Sequence, residues 1–188
     1  MYYISYMKTK HTYKIPPPRP MLDRDEWVRR ANTVTDIFVY NDGGRAEAGY
    51  KGRSGDCVTR AIAIATGLPY NTVYKDIHEY AKEHRDTKRD KIARRYQSGK
   101  CSTTARDGVH KVVWKKYLRD LGWKWKPLMG IGTGCTVHLH PDELPQVGTY
   151  ILSLSRHLAC YKNGQLHDTY DCSRNYTRCV YGYFYEDE

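Results

Sequence analysis

Three residues of the 188-residue chain have the types and spacing needed for a nucleophile, a base and an orienting carboxylate: Cys57, His157 and Asp168. A cysteine attacks as its thiolate, so it needs a nearby base and a positive environment. Cys57 follows Asp56, a residue type that favours the N-cap of a helix, which predicts the sulfur beside free amides at a positive helix end. Both effects lower the pKa of a thiol. The Cys57 backbone amide is also expected to donate to a developing oxyanion.

A predicted turn brings His157 and Asp168 together. Asn163-Gly164 favours a two-residue hairpin loop, because a type I′ turn requires positive φ at both central positions. With that loop, Ala159 faces Asp168 and His157 faces Tyr170 across two antiparallel strands. Side chains alternate between the faces of a sheet, so His157 and Asp168 share one face, with the small Ala159 between them. We therefore predict that Asp168 orients the imidazole while His157 accepts the thiol proton.

The elements that must position these residues change character along the chain. Hydrophobic periodicity predicts helices over 56–67, from Leu68 onward and over 109–121, whereas the basic stretch 85–105 is expected to be an extended loop with helical pieces. Short strands are expected at 36–40, 135–140, 149–155, 156–162, 165–170 and 179–185. Helices followed by antiparallel strands are typical of the α+β class.

The length of the chain suits one domain with a core. The run Ile15 to Pro20 contains four prolines, which favour extended polyproline geometry. We therefore predict an N-terminal Pro-containing tail or arm over 1–34 and one domain over 35–188, with a basic helical segment at 82–126.

Two parts of the sequence resemble a known family. Ser54-Gly55-Asp56-Cys57 leads into an apolar helix, and about a hundred residues later Ser155-Arg156-His157 precedes Asn163-Gly164-Gln165-Leu166-His167-Asp168. This pattern is similar to the papain-like superfamily, in particular to small proteins of the double-glycine-peptidase type and their phage-encoded relatives.

The resemblance covers about 57 to 185. It implies a helical lobe, with the cysteine at the start of a buried helix, packed against an antiparallel sheet. It also implies that Cys57 is the nucleophile, His157 the general base and Asp168 its orienter. The expected activity is cleavage of a peptide, isopeptide or other amide bond in a protein or peptide substrate, without a cofactor.

The second oxyanion donor departs from the family pattern. Papain-like peptidases usually carry a glutamine a few residues before the cysteine, and the segment 50–54 here contains no carboxamide. The alternatives are Asn41 looping back, donation by Lys51, Arg53 or Ser54, or an incomplete hole in an inactive protein. Asn41 and Ser54 are the weak candidates that we carry forward.

The net charge of +10 is concentrated in one segment, because residues 82–126 contain 15 Lys/Arg against 5 Asp/Glu. Such a segment is either a solvated helical surface or a binding surface for nucleic acid or an acidic protein. Tryptophans near its end could stack on bases. The alternative function is thus a non-catalytic basic binding module, with four candidate anion-binding residues: Lys111, Lys115, Lys116 and Lys124.

The remaining features point away from membranes and metals. No run of 18 apolar residues occurs and the first residues lack the apolar core of a signal peptide, so we expect a cytoplasmic protein, in the host cytoplasm if it is phage-encoded. The six cysteines are therefore expected to be free thiols, with Cys172 and Cys179 as packing residues. His138 and His140 share a strand face near Cys135, but the spacing matches no zinc motif, and we expect no metal.

Overall fold

The structure, a computed structural model, describes residues 36–187. The predicted tail over 1–34 lies outside these residues. The described part contains four helices: α1 (Cys57–Thr66), α2 (Tyr70–Thr87), α3 (Lys91–Gln97) and α4 (Lys111–Asp120). It contains six strands: β1 (Phe38–Tyr40), β2 (Lys124–Pro127), β3 (Thr149–Leu154), β4 (His157–Lys162), β5 (Gln165–Asp168) and β6 (Gly182–Tyr185). A 3-10 helix spans Pro141–Glu143.

The six strands form one sheet in the order β1-β5-β4-β3-β6-β2. Only β1 runs parallel to its neighbour, β5, and the other paired strands of the described sheet are antiparallel. The mixed α+β class expected from the sequence is confirmed. The strands that carry the candidate base and carboxylate, β4 and β5, lie near the middle of the sheet.

The hairpin between β4 and β5 has the predicted register. Lys162 pairs with Gln165, and the ladder continues through Tyr161 with Leu166. Asn163 and Gly164 have φ values of 50° and 79°, as a type I′ turn requires. The turn residues therefore set which side chains of the two strands face each other.

Both faces of the sheet are covered. On one face, apolar residues of the sheet, including Leu158 of β4, pack against the apolar residues of α1, α2 and α4. On the other face, Ala159 and Leu166 pack against residues of the two irregular segments 128–144 and 172–180. The predicted buried helix α1 thus lies directly against β4, with Ile62 fully buried.

Close contact between the loop after β1 and α1 depends on a glycine. Gly43 has a φ of +67°, and a Cβ there would lie 3.1 Å from the carbonyl oxygen of Arg60. A side chain at this position would conflict with both the backbone conformation and the helix. Gly43 therefore lets the segment that follows β1 pass over the start of α1.

Several predicted elements differ in the structure. The strand expected over 135–140 is reduced to an isolated bridge between His138 and Cys179. The helical pieces expected within 85–105 are the end of α2 and all of α3, and together they make this stretch more helical than the extended loop that was predicted around them. Strand β2 was not predicted, because its residues Lys124–Pro127 alternate lysines with Trp125 and a proline, a composition that an edge strand tolerates.

The prediction that all six cysteines are free thiols is wrong. Cys135 and Cys179 form a disulfide that joins the two irregular segments on the face of the sheet opposite the helices. The 44 residues between them in the chain hid this proximity, which arises because the segments pair at Val137 and Val180. Cys57, Cys101, Cys160 and Cys172 are free.

Within residues 36–187, none of the helices has the length and apolarity that are needed to cross a bilayer.

Candidate active site

Cys57 is the first residue of α1 and is half-buried against β4. Its thiol interacts with His157 and with the backbone of Leu158. Burial alone would raise the pKa of Cys57, but the hydrogen bond and charge of His157, the Leu158 contact and the charge of Arg60 together lower it. This is the direction that a nucleophilic cysteine requires.

The other buried thiols have the opposite shift. Burial raises the pKa of Cys160 to about 12. Burial also raises the pKa of Cys172, although a hydrogen bond to His157 opposes the change. The thiolate is therefore favoured at Cys57 over these two cysteines.

His157 begins β4, and its side chain is buried between the thiol and a carboxylate. Its Nε2 lies 2.5 Å from Oδ2 of Asp168, which is also buried. Burial by itself would lower the pKa of His157, but the hydrogen bonds to Asp168, Cys172 and Cys57 raise it to about 12. The structure thus brings the three predicted site residues together, with the imidazole positioned to be protonated and the thiol ionised.

Tyr170 contacts the imidazole, although β5 ends at Asp168 and the paired residues of the hairpin extend only to Cys160 and His167. The centroids of the two rings are 5.4 Å apart. Tyr170 is 50% exposed, so its ring separates His157 from solvent without closing the site.

Asp56 occupies the N-cap position of α1, as predicted, but its side chain makes no capping hydrogen bond. The carboxylate is fully buried and instead binds the Arg45 Nε at 2.8 Å, the Tyr70 hydroxyl at 2.5 Å and the Arg60 guanidinium. Burial would raise the pKa of Asp56, and these partners together with Ser54 lower it. Asp56 is therefore an ionic anchor for the start of the helix that carries Cys57.

Arg60 is a site residue that the sequence reasoning missed. Its guanidinium binds Asp56, and its Nη2 lies 3.6 Å from Oδ1 of Asp168. The buried cation thus links the cysteine-bearing helix to the carboxylate behind the imidazole. The signal in the sequence was an arginine inside an apolar helix, four residues after an aspartate, which places the two on one helix face.

Cys172 is a second site residue that was not predicted, since the sequence indicated only a packing role for it. Its thiol is buried and hydrogen-bonded to His157. Its carbonyl oxygen accepts a hydrogen bond from Arg178, whose guanidinium also donates to Ser155 in the turn before His157. Cys172 is therefore held close to the imidazole by the same segment that the disulfide secures.

The two weak oxyanion candidates have different surroundings. Ser54 is hydrogen-bonded to the Asp56 carboxylate, so its hydroxyl proton has a partner. Asn41 follows β1 beside Asp168, and its backbone N–H donates to the Asp168 carbonyl oxygen at 2.8 Å. The Asn41 Oδ1 accepts from the Gly43 amide, and its Nδ2 donates to no residue within 36–187. Of the two, Asn41 keeps a side-chain donor for a ligand.

The four lysines proposed as anion-binding residues are not equivalent. Lys116 pairs with Asp120 at 2.8 Å, and Lys124 pairs with Asp187. The Lys115 Nζ lies 4.0 Å from the centroid of the Trp125 ring. Lys111 is exposed.

The aromatic rings near these lysines are covered. Trp114, Tyr117 and Trp123 are buried. Trp125 lies between the Lys115 side chain and Phe184, whose ring centroid is 5.0 Å away. Burial therefore prevents Trp114, Tyr117 and Trp123 from stacking on nucleic-acid bases.

Cys135, His138 and His140, which lie close together in the sequence, have separate partners in the structure. The Cys135 sulfur is bonded to Cys179. His138 binds the Glu143 carboxylate through its amide and its Nδ1, and the His140 Nδ1 accepts from the Asp142 amide.

Comparisons of the chain with protein-family models, with curated proteins and with solved structures find no match.

Proposed function

We propose that the protein is a cysteine hydrolase of papain-like type that cleaves a peptide, isopeptide or other amide bond. The observation that carries the proposal is the contact between Cys57, at the start of α1, and the buried His157–Asp168 pair. A helical layer that presents a cysteine to histidine and aspartate on adjacent antiparallel strands supports the papain-like assignment.

The chemistry follows from the charges of the site. The Cys57 thiolate attacks the substrate carbonyl carbon, and the Cys57 amide donates to the oxygen that becomes negative. His157, as imidazolium, gives its proton to the leaving amine, which departs and leaves a thioester on Cys57. His157 then takes a proton from water, and the resulting hydroxide attacks the thioester, which releases the carboxylic acid and restores the Cys57 thiolate beside the imidazolium. Asp168 stabilises the charged imidazole in both halves of the cycle.

Arg60 and Asp56 support this proposal as positioning residues. Their ion pair is buried, and Arg60 also faces Asp168. The geometry between helix and sheet is therefore set by charges as well as by apolar packing. Asn41 is the proposed second donor to the oxyanion, because it is adjacent to Asp168 and its side-chain Nδ2 donates to no residue within 36–187.

Selective alkylation tests the proposal before any substrate is known. Iodoacetamide at neutral pH should label Cys57 first, and His157→Ala should slow this labelling. Cys101 is the matched control, because it is also a half-buried free thiol but, within residues 36–187, its sulfur has no histidine partner. Peptide mass spectrometry gives the rate at each cysteine, and equal rates at Cys57 and Cys101 in the wild type would contradict the proposal.

Cleavage itself can be detected without choosing a substrate in advance. Protein mixtures treated with wild type should contain new amino termini that are absent after treatment with Cys57→Ala. Selective reaction of Cys57 without such products would contradict cleavage of peptide bonds in these mixtures.

The compartment has two opposing indicators. The proposed nucleophile must stay reduced, which favours the cytoplasm, whereas the Cys135–Cys179 disulfide favours an oxidising compartment. We propose the cytoplasm. Trapping of free thiols at cell lysis, followed by mass spectrometry, reports whether Cys57 is reduced and whether Cys135 and Cys179 are bonded in the cell.

A second candidate function is binding of nucleic acid through its phosphates. Six basic residues around α3 are exposed and form no ion pair within residues 36–187: Lys88, Arg89, Lys91, Arg94, Arg95 and Lys100. Lys91, Arg94 and Arg95 share the outer face of α3, whose inner residues Ala93 and Tyr96 are buried. Without exposed aromatic rings at this surface, we propose phosphate contacts rather than base stacking.

Salt dependence tests this candidate. Replacing Lys91, Arg94 and Arg95 by Gln should weaken binding to duplex DNA and reduce the slope of log K against log[salt] by about 2–3. Lys116→Gln is the control, because Lys116 is already paired with Asp120. Unchanged binding in the triple variant, or preference for an acidic peptide over the duplex, would contradict the candidate.

A further inference from the structure

The site contains a potential metal-ligand set that joins two residues of the proposed hydrolysis to Cys172, which that hydrolysis does not use. His157, Asp168 and Cys172 are all buried, and one potential ligand atom from each lies within 4.8 Å of the other two. The three residues come from β4, the end of β5 and the segment that follows it. His157 and Asp168 meet through the hairpin register, and Cys172 joins them because the segment after β5 folds back toward the imidazole.

We propose that these three residues bind a divalent transition-metal ion of the zinc type. A thiolate sulfur, an imidazole nitrogen and a carboxylate oxygen are the ligands that zinc takes in proteins. Hard cations such as Mg²⁺ and Ca²⁺ prefer sets of oxygen ligands, so the cysteine and histidine select against them.

The separations suit a tetrahedral ion after small side-chain movements. Metal–ligand distances of about 2.0–2.3 Å place neighbouring tetrahedral ligands roughly 3.3–3.8 Å apart. The Nε2–Oδ2 distance of 2.5 Å must widen, because an ion would replace the proton that His157 and Asp168 share. Three protein ligands leave a fourth position for water.

The surroundings keep the three ligands in place. Asp168 is held through its other oxygen, Oδ1, which accepts the Thr169 amide at 2.7 Å and faces Arg60. Arg178 holds the Cys172 carbonyl at 3.2 Å. Ligands that are oriented by outer hydrogen bonds bind metals more tightly.

Cys57 is outside the ligand set, since it contacts His157 but is not among the three mutually close ligands. A bound ion nevertheless removes the base from Cys57, because the imidazole lone pair is then used for coordination. Zinc would therefore inhibit the enzyme reversibly. This consequence rests on the proposed function, whereas the binding itself does not.

Cobalt provides a direct optical test. Metal-free protein is titrated with Co²⁺ in a buffer without added thiols, and we expect a sulfur-to-cobalt charge-transfer band together with visible bands of a tetrahedral ion. Zn²⁺ should displace the cobalt and abolish both. Absence of the charge-transfer band at saturating Co²⁺ would overturn the proposal.

Three variants assign the ligands. Cys172→Ser should lose the charge-transfer band, and Asp168→Asn should weaken cobalt binding by about tenfold or more. Cys57→Ser is the matched control and should keep the band, although it cannot act as a cysteine hydrolase. Circular dichroism checks that each variant is folded. Loss of the band in Cys57→Ser with retention in Cys172→Ser would place the ion elsewhere and refute the assignment.

Discussion

Replacing Asp168 tests the charge arrangement of the site more directly than replacing the nucleophile. Asp168 is buried, and its Oδ2 lies 2.5 Å from the His157 Nε2. Asp168→Ala removes both the negative charge and the hydrogen bond that orients the ring. Asp168→Asn removes the charge but keeps an oxygen that can accept from the ring. The two variants therefore separate electrostatic stabilisation from orientation.

The size of the effect follows from the distance and the burial. An opposite charge this close shifts a pKa by about 1–3 units, and each unit corresponds to about 1.36 kcal/mol. Without Asp168, burial lowers the pKa of His157, so the ring loses its proton at a lower pH. Cys57 then loses its cationic partner, and its pKa rises toward the ordinary value.

The assay is the rate of Cys57 alkylation by iodoacetamide as a function of pH. In wild type the rate should stay high on the acid side of neutrality, because His157 stabilises the thiolate. In Asp168→Ala the midpoint of the profile should move up by about 1–3 pH units, which slows alkylation near pH 6 by roughly tenfold or more. Asp168→Asn should shift the midpoint in the same direction, and its loss of hydrolysis should be smaller than that of the alanine variant.

Asp171→Ala is the matched control for this experiment. Asp171 is three residues further along, is exposed, and accepts a hydrogen bond from the Ser173 amide. Its replacement should leave the alkylation profile of Cys57 unchanged. If Asp168→Ala and Asp171→Ala give the same profile, the assignment of Asp168 as the partner of His157 is refuted.

Three further predictions concern the scaffold of the site and are measured by chemical denaturation. Asp56→Asn should lower the free energy of unfolding at pH 7 by about 3–5 kcal/mol, because it removes the nearer of the two carboxylates that face buried Arg60 and leaves only Asp168, at 3.6 Å. The lowered pKa of Asp56 means that this stabilisation is present above the ordinary value of 3.8 and is lost as the pH falls through the folded-state pKa, so the difference between variant and wild type should shrink in acid. Replacing Cys135 and Cys179 together by serine should cost about 4 kcal/mol, given the chain entropy of a loop of this length, with no change in the order of cysteine reactivity. Gly43→Ala should destabilise the protein by about 1 kcal/mol or more, since its φ is +67° and the new Cβ would press on the Arg60 carbonyl, and an unchanged unfolding midpoint would contradict that contact.

Local patterns were sufficient for part of the site. The Asn163-Gly164 turn determines the register of β4 and β5, because a two-residue loop with positive φ allows one pairing. The alternation of side chains then places His157 and Asp168 on one face. The position of Cys57 at the start of a buried helix likewise follows from residues next to it in the chain.

Contacts between distant segments could not be predicted in the same way. The disulfide between Cys135 and Cys179 depends on two irregular segments that meet on the face of the sheet opposite the helices, and no turn or periodicity links them. The burial of Trp114 likewise depends on how α4 packs against the sheet, where its ring contacts Phe184. These outcomes depend on packing among elements, which local propensity does not encode.

The sequence by itself determined which residues are proposed as nucleophile, base and orienting carboxylate, since each proposal follows from a helix start or from a hairpin register. Only the tertiary structure decided what surrounds them. Arg60 reaches both Asp56 and Asp168 because α1 packs across β4, and Cys172 reaches His157 because its segment folds back over the sheet. Short-range rules specify backbone geometry, whereas the charge and the metal-binding capacity of a buried site depend on side chains that folding brings from distant parts of the chain.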